Sequence, residues 1–234
     1  MNASRMTALL RKEIIEGLRA GGRNIPFTAA LMVVMLITTV SGRRAALTPG
    51  ALSLLQAQLP VFLPLLAIPF YASTVLTRAI QTERLRGGLV PLLIHGGSAA
   101  EVWLAKVAGA FALAYGVMLL SLGGYAAYGA WSGRHLAPSL AALPHLLVTM
   151  PLAALSVIAL QALLFWVMPR SALLSVIVPL TVLFGGTQLV VLWALRPLSL
   201  TGAALAVVSS GLVLGLSALV EAHYPRERAA GLVA

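Results

Sequence analysis

The stretch QTERLRGGLVPLLIHGGSAAEVWLAK, Gln81 to Lys106, separates two long apolar runs and decides how the chain is organised. It is polar at its start, and two consecutive glycines, at 87 and 88, interrupt a helix there. Residues 89–94 favour a short helix, in which Pro91 is tolerated because it falls in the first turn. The stretch therefore predicts the end of one long helix and a short helix after it.

The second half of the stretch predicts the start of a new helix. Ser98 and Glu101 have the spacing of a capping box, in which the serine caps the helix and the glutamate reaches back to the cap. The apolar residues that follow begin at Val102. We therefore expect a long helix to begin directly after Ser98.

The composition indicates a membrane protein. Of the 234 residues, 60% are hydrophobic and only 9% are charged, whereas a soluble domain carries ~25% charged residues. The net charge of +10 is distributed among the gaps between apolar runs, which indicates membrane topology rather than nucleic-acid binding. The absence of cysteine excludes disulfides, thiolate catalysis and cysteine-ligated metals.

Six apolar runs predict six membrane-spanning helices, since ~20 residues cross the hydrocarbon. The runs are Pro26–Ser41, Leu59–Thr77, Val102–Ala130, Pro144–Met168, Ala172–Leu195 and Leu200–Val220. They lack the alternation of apolar and polar residues that a spanning barrel requires. We therefore expect an all-α polytopic membrane protein, and a single transmembrane domain over residues 1–234 because no linker divides them.

The distribution of lysine and arginine predicts that both termini are cytoplasmic. With the N-terminus inside, twelve of the sixteen basic residues fall in cytoplasmic segments and four fall outside, at Arg43, Arg44, Arg134 and Arg196. This arrangement corresponds to a multi-pass protein of a bacterial inner membrane. Lys106, one turn into the third span, is expected to extend its ammonium group to the inner membrane surface.

The residues before the first span predict an amphipathic helix on the inner membrane surface. Met6, Leu10, Ile14 and Leu18 recur at helical spacing, and the charged residues lie mostly elsewhere around the helix. This regular pattern, more than twenty residues long with its flanks, favours an interfacial helix over a cleaved signal sequence.

The motifs of several classes of enzyme and transporter are missing from the sequence. There is no Walker-type glycine loop and no HExxH, and the predicted fourth, fifth and sixth spans have no ionisable residue in their cores. We therefore expect no catalytic residues, no cofactor and no metal site, and any transport to be driven by another subunit. The histidines His95, His135, His145 and His223 fall in loops or at the predicted membrane faces.

The segment ERLRGGLVPLL, followed thirteen residues later by a lysine, resembles the first cytoplasmic loop of ABC-2-type permeases. Gly88 stands where that family usually has threonine, and Pro91 is a further departure. The resemblance implies a coupling helix that docks on a separate ATPase subunit. The residues that match the family pattern are Glu83, Arg84, Gly87, Leu89, Leu92, Leu93 and Lys106.

Two further stretches resemble the CcmB family, the heme exporter permeases of cytochrome c maturation. They are RKEIIEGLRAGGRNIPF at 11–27 and MPRSALLSVIVPLTVLF at 168–184, in which Arg170 opens a span that contains Pro179 and Leu180. The resemblance implies heme export in a complex with an ATPase, and heme-handling maturation proteins as further partners. It assigns none of the histidines to heme.

Three functions are consistent with these features. The first is a heme-export permease that pairs with a second copy or a second permease. The second is an ABC-2 exporter of another substrate, such as a lipid, a drug or a polysaccharide. The third is a membrane scaffold whose ATP-driven movement releases a partner protein without transporting a substrate.

Overall fold

The computed structural model describes residues 3–21, 24–42, 68, 71–81, 98–133, 147–148, 150–167 and 200–223. These residues contain five α-helices and no strand, which confirms the all-α class. The helices are α1 (Ala3–Gly21), α2 (Asn24–Gly42), α3 (Ala99–Trp131), α4 (Met150–Val167) and α5 (Leu200–His223). The segment 71–81 is helical too, and it ends in the π-helix Thr77–Gln81.

Helix α3 begins where the sequence predicts. The Ser98 backbone is extended, and its side-chain oxygen accepts a hydrogen bond from the backbone N–H of Glu101 at 3.2 Å. At the other end, Gly133 has a φ of 67°, a left-handed conformation that glycine adopts without steric cost and that commonly ends a helix. The 33 residues between these signals make a helix ~50 Å long.

By length and composition, α3 is the one helix of the described residues that is long and apolar enough to cross a membrane. Shorter apolar stretches lie in three other helices, at Ile25–Met35, Pro151–Trp166 and Val207–Ala222. The predicted fifth span and the predicted short helix at 89–94 fall outside the described residues. The number of spans therefore stays a prediction.

The other helices pack around α3, which contacts α1, α2, α4 and α5. Helices α4 and α5 also pack on each other, and both α1 and α4 contact the π-helix. Trp103 and Met118 of α3 belong to one buried apolar cluster together with Leu76, Ile158 and Phe165 from the neighbouring elements. Helix α3 is thus the central element of the described bundle.

Helices α1 and α2 run along α3 in the same direction as α3 itself. A Cβ built on Gly109 would lie 2.8 Å from the Glu13 Cβ, and one turn later Gly17 meets the side chain of Leu113. Further along, a Cβ on Gly124 would lie 3.0 Å from a methyl group of Val33 in α2. The residue numbers of the contacts increase together along α1 and α3, so α1 lies lengthwise against α3.

The predicted apolar stripe of α1 winds around the helix instead of staying on one face. Steps of four residues exceed the 3.6-residue turn, so each step moves the stripe by ~40°. Leu18, three steps after Met6, is consequently 45% exposed, whereas Glu13 is buried. The helix itself is confirmed, but the prediction that its charged residues lie away from the packed face is wrong for Glu13.

Large apolar side chains are exposed on the outside of the bundle. Phe27 in α2 is 68% exposed, and Leu119 and Leu120 in α3 and Val207 and Leu214 in α5 are exposed as well. A monomeric soluble protein rarely exposes extensive apolar patches. This surface is the one expected of helices that face lipid.

Candidate functional site

Six of the seven residues predicted to couple to an ATPase lie in the segment 82–97, named here the coupling loop. This segment is outside the described residues, so the predictions for Glu83, Arg84, Gly87, Leu89, Leu92 and Leu93 stay predictions. The seventh residue, Lys106, is a buried residue of α3.

Lys106 is buried among three elements of the fold. Its ammonium group donates a hydrogen bond to the carboxylate Oε1 of Glu13 in α1 at 3.0 Å. It also donates to the backbone carbonyl of Ala79 in the π-helix at 3.4 Å. The side chain of Lys106 has no exposed surface, and that of Glu13 is 6% exposed. The pair therefore joins α1, α3 and the end of the segment 71–81.

The prediction that Lys106 extends to the membrane surface is wrong. A buried ammonium group is costly unless it has a counter-charge and hydrogen-bond acceptors close by. Glu13 supplies the charge and Ala79 supplies a carbonyl, so the side chain is satisfied without reaching solvent. Any part that Lys106 has in coupling is then exerted through the position of its neighbours, not by direct contact with a partner.

Two glycines allow α1 to come close enough to α3 for this ion pair. Gly109 lies three residues after Lys106 on α3, and an added Cβ there would come within 2.8 Å of the Glu13 Cβ. Gly17 lies four residues after Glu13, and an added Cβ there would collide with Leu113. The two small residues thus face the partner helix at successive turns, and they allow close backbone approach.

A second lysine lies on the outer side of the pair. The Lys12 ammonium group is 3.7 Å from Oε1 of Glu13 and 3.6 Å from Oε2 of Glu16, which is one turn further along α1. Because Lys12 is 33% exposed and Glu16 is 52% exposed, these contacts are screened by solvent and contribute little. Glu13 therefore lies between one buried cation and one partly exposed cation.

The Ala79 carbonyl comes from an unusual part of the backbone. The π-helix Thr77–Gln81 follows six α-helical residues and precedes the coupling loop directly. The Thr77 hydroxyl donates to the carbonyl of Ser73 at 2.7 Å, one turn before. Short π-helical turns occur frequently at functional sites in α-helices.

Glu13 and Ala79 could not be identified as site residues from the sequence. Glu13 lies in a charged run and looks like a solvent-facing residue, and its partner is 93 residues away in the chain. Gly17 and Gly109 flank the two residues at helical spacing, and small residues at such positions indicate that helices pack closely. They do not indicate which two helices pack together.

A buried glutamine in α4, Gln161, was also not identified from the sequence. Gln161 has no exposed surface, and neither its amide nitrogen nor its amide oxygen has a hydrogen-bond partner among the atoms described. The Tyr71 hydroxyl and the Trp103 indole N–H are likewise buried without such a partner. Polar side chains are thus present within the apolar cluster, although the sequence shows no ionisable residue in the predicted fourth span.

The ammonium group of Lys106 is hydrogen-bonded to a carboxylate and to a carbonyl. No group of three or more metal-ligating side chains occurs in the described part of the chain. No protein-family model, no curated protein and no solved structure matches this chain.

Proposed function

We propose that this chain is the transmembrane subunit of an ABC-2-type transporter and that a separate cytoplasmic ATPase moves it through the coupling loop. The proposal combines the sequence pattern of the loop with the geometry at both of its ends. It assigns the chain no ATPase site of its own.

The buried ion pair is the observation that carries the proposal. Ala79 lies shortly before the coupling loop, and Lys106 lies shortly after it. Their hydrogen bond joins the π-helix before the loop to α3 after it, and Glu13 attaches α1 to the same lysine. A force applied to the loop is therefore passed to α3 and α1 together, which is what a mechanical link between an ATPase and a membrane bundle requires.

The membrane part of the proposal is six spans with both termini cytoplasmic. Glu101 and Lys106 lie near the N-terminal end of α3, whereas Tyr128 and Trp131 lie at its other end. Trp131 is 84% exposed, as expected for a side chain in the aromatic belt at a membrane interface. Charged residues near the N-terminal end of α3 and aromatic residues at its C-terminal end are consistent with a cytoplasmic N-terminal end. The distribution of basic residues predicts the same orientation.

We further propose heme export in cytochrome c maturation as the process, on the strength of the stretches 11–27 and 168–184. The first of these stretches contains Glu13 and Gly17, so the part of it that packs on α3 is also the part that anchors the ion pair. The co-purification of heme-handling proteins with the chain would support this assignment. Co-purification of an ATPase alone would favour an exporter of another substrate.

The test is the association of the chain with its ATPase after substitution in the coupling loop. We expect Leu92→Asp to reduce ATPase binding at least thirtyfold, because a small docking element depends on a few buried apolar anchors. Membrane insertion should be unchanged, because the site lies outside the predicted spans. The measurement is pull-down of the ATPase from detergent extracts, with the amount of inserted chain quantified in parallel.

Ile94→Asp is the matched control for this test. It introduces the same charge in the same loop, but residue 94 lies ~140° around a helix from the face formed by Leu89, Leu92 and Leu93. The control should bind the ATPase nearly as well as the unaltered chain. Equal binding by both variants and the unaltered chain would refute the coupling assignment.

A further inference from the structure

The exposed side of α1 carries arginines and large apolar residues together. Arg11, Ile15, Leu18 and Arg19 are spaced by four, three and one residues, which places all four on one side of a helix. All four side chains are exposed, Ile15 by 36%. These residues are called the arginine face below.

The fold fixes the direction of the arginine face. The opposite side of α1 is held by the contact of Glu13 with Lys106 and by the close packing of Gly17 on Leu113. Helix α1 cannot rotate the arginines inward without breaking a buried ion pair. The arginine face is therefore a permanent outer surface of the bundle.

The arginine face carries a positive charge that the rest of α1 does not neutralise. The acidic residues of α1 are Glu13 and Glu16, and both lie within 4 Å of Lys12. Neither Arg11 nor Arg19 forms an ion pair with a residue in the part of the chain that the structure describes. Two guanidinium groups are thus presented outward beside apolar side chains.

The depth of the arginine face follows from its packing on α3. Since Glu13 lies beside Gly109 and Gly17 beside Leu113, Ile15 and Leu18 lie level with the part of α3 around Phe111, nine residues after the apolar run begins at Val102. The rings of Phe111 and Tyr115 stack there, with their centroids 5.3 Å apart.

Trp131, at the other end of α3, lies one hydrocarbon thickness away from this level. The exposed Trp131 follows Phe111 by ~30 Å along the helix axis, which is the thickness of the hydrocarbon. Aromatic residues concentrate at both membrane interfaces. The arginine face thus lies at the cytoplasmic boundary, with Arg11 on its aqueous side.

We propose that the arginine face binds the phosphate groups of anionic phospholipids in the cytoplasmic leaflet, with Ile15 and Leu18 inserted at the acyl boundary. The proposal rests on the membrane location given under the proposed function. Guanidinium groups bind phosphate oxygens in a bidentate manner. The Cα–Cβ bond of Arg19 tilts toward the helix N-terminus, so its long side chain extends back toward the headgroups.

A lipid accounts for this surface better than an acidic protein does. Large apolar side chains are also exposed in the following helix α2, at Phe27 and Leu31. A membrane contacts the charged part and the apolar part at once. An acidic protein in the cytoplasm would contact only the arginines.

The test uses the full chain, purified in a neutral detergent and titrated with dioleoyl phosphatidylglycerol or dioleoyl phosphatidylcholine, with bound lipid counted by native mass spectrometry. We expect the unaltered chain to bind phosphatidylglycerol more tightly than phosphatidylcholine. Each arginine near an anionic membrane contributes about a fivefold preference, so Arg11→Gln with Arg19→Gln should weaken phosphatidylglycerol binding roughly thirtyfold. Inorganic phosphate in excess should not compete, because it lacks the acyl chains.

The control Arg43→Gln with Arg44→Gln removes the same charge from a segment predicted on the other side of the membrane, and it should keep the lipid preference. Equal binding of both lipids by the unaltered chain would overturn the proposal, as would an equal loss in the control. ATPase pull-down separates this proposal from the proposed function: the double arginine variant should keep its ATPase. Loss of the ATPase with lipid preference intact would instead assign the arginine face to a protein partner.

Discussion

The ion pair between Glu13 and Lys106 makes a quantitative prediction about stability. Lys106→Met removes the charge and keeps an unbranched apolar side chain, so it leaves the Glu13 carboxylate buried without its nearest cation. Glu13→Leu does the reverse and removes the carboxylate that lies 3.0 Å from the buried ammonium group. Both changes remove one partner of a pair whose side chains are 0% and 6% exposed.

The expected cost follows from the burial of the group left behind. Removing one partner of a buried ion pair costs roughly 3–5 kcal/mol, because an uncompensated charge stays in the interior. Lys106→Met should fall at the lower end of this range, because Lys12 is 3.7 Å from the same carboxylate oxygen. Glu13→Leu should also fall within this range, because it removes the carboxylate that lies 3.0 Å from a fully buried ammonium group.

The double variant separates the interaction between Glu13 and Lys106 from the individual effects of the two substitutions. With Glu13→Leu and Lys106→Met together no charge is left unpaired, and apolar replacement of a buried ion pair is often neutral or stabilising. We expect the double variant to unfold within about 1 kcal/mol of the unaltered chain. The coupling energy of the cycle is then at least about 5 kcal/mol, above the ~0.5–3 kcal/mol usual for residues in contact, because each single variant leaves a buried charge without its partner.

Reversible unfolding in mixed micelles, with an increasing fraction of a denaturing detergent, measures these free energies. Trp103 is fully buried one turn before Lys106, so its fluorescence reports on this region once the other three tryptophans are replaced by phenylalanine. Lys12→Met is the control, because Lys12 pairs with the half-exposed Glu16 and its loss should cost less than about 1 kcal/mol. Additive single changes, with a coupling energy below about 0.5 kcal/mol, would refute the buried pair.

Two further predictions concern the packing and the start of α3. Gly109→Ala should destabilise the bundle by about 1–3 kcal/mol, since the new methyl group would lie 2.8 Å from the Glu13 Cβ. Gly123→Ala meets no atom of the described residues within 4 Å and should be neutral or slightly stabilising in the same unfolding assay. Ser98→Ala should cost about 1 kcal/mol through the lost cap, while Ser98→Asp keeps a capping oxygen and most of the stability. Failure of Ser98→Ala to insert into the membrane would show that this serine does more than cap the helix.

The helices were predictable because their signals are local. The cap at Ser98 and the apolar run after it fixed the start of α3, and the first apolar run lies within two residues of the bounds of α2. The fourth run begins at Pro144, outside the described residues, and α4 covers most of this run, from Met150 to Val167.

The contacts at the candidate site were not predictable, because they join residues that are distant in the chain. Lys106 was identified by its place in the loop pattern, yet its burial depends on Glu13, 93 residues away. The helix of the second apolar run was predicted to continue past that run as far as Arg86, but the sequence did not indicate that Thr77–Gln81 would be a π-helix, which contains the Ala79 carbonyl. Periodicity predicts which residues share a helix face, but not which helix covers that face.

An ion pair at this position is not needed for stability, since apolar residues of similar volume would serve as well. What apolar residues cannot reproduce is the direction of the contact: the Lys106 ammonium group selects one carboxylate and one carbonyl, and thereby sets the register of α1 and of the π-helix against α3. In a bundle driven by an ATPase, that register determines how movement of the coupling loop reaches the spans. The Glu13→Leu and Lys106→Met double variant should therefore fold, insert and bind the ATPase, yet show weaker coupling of ATP hydrolysis to transport. Full coupling in that variant would mean that the pair only holds the helices together.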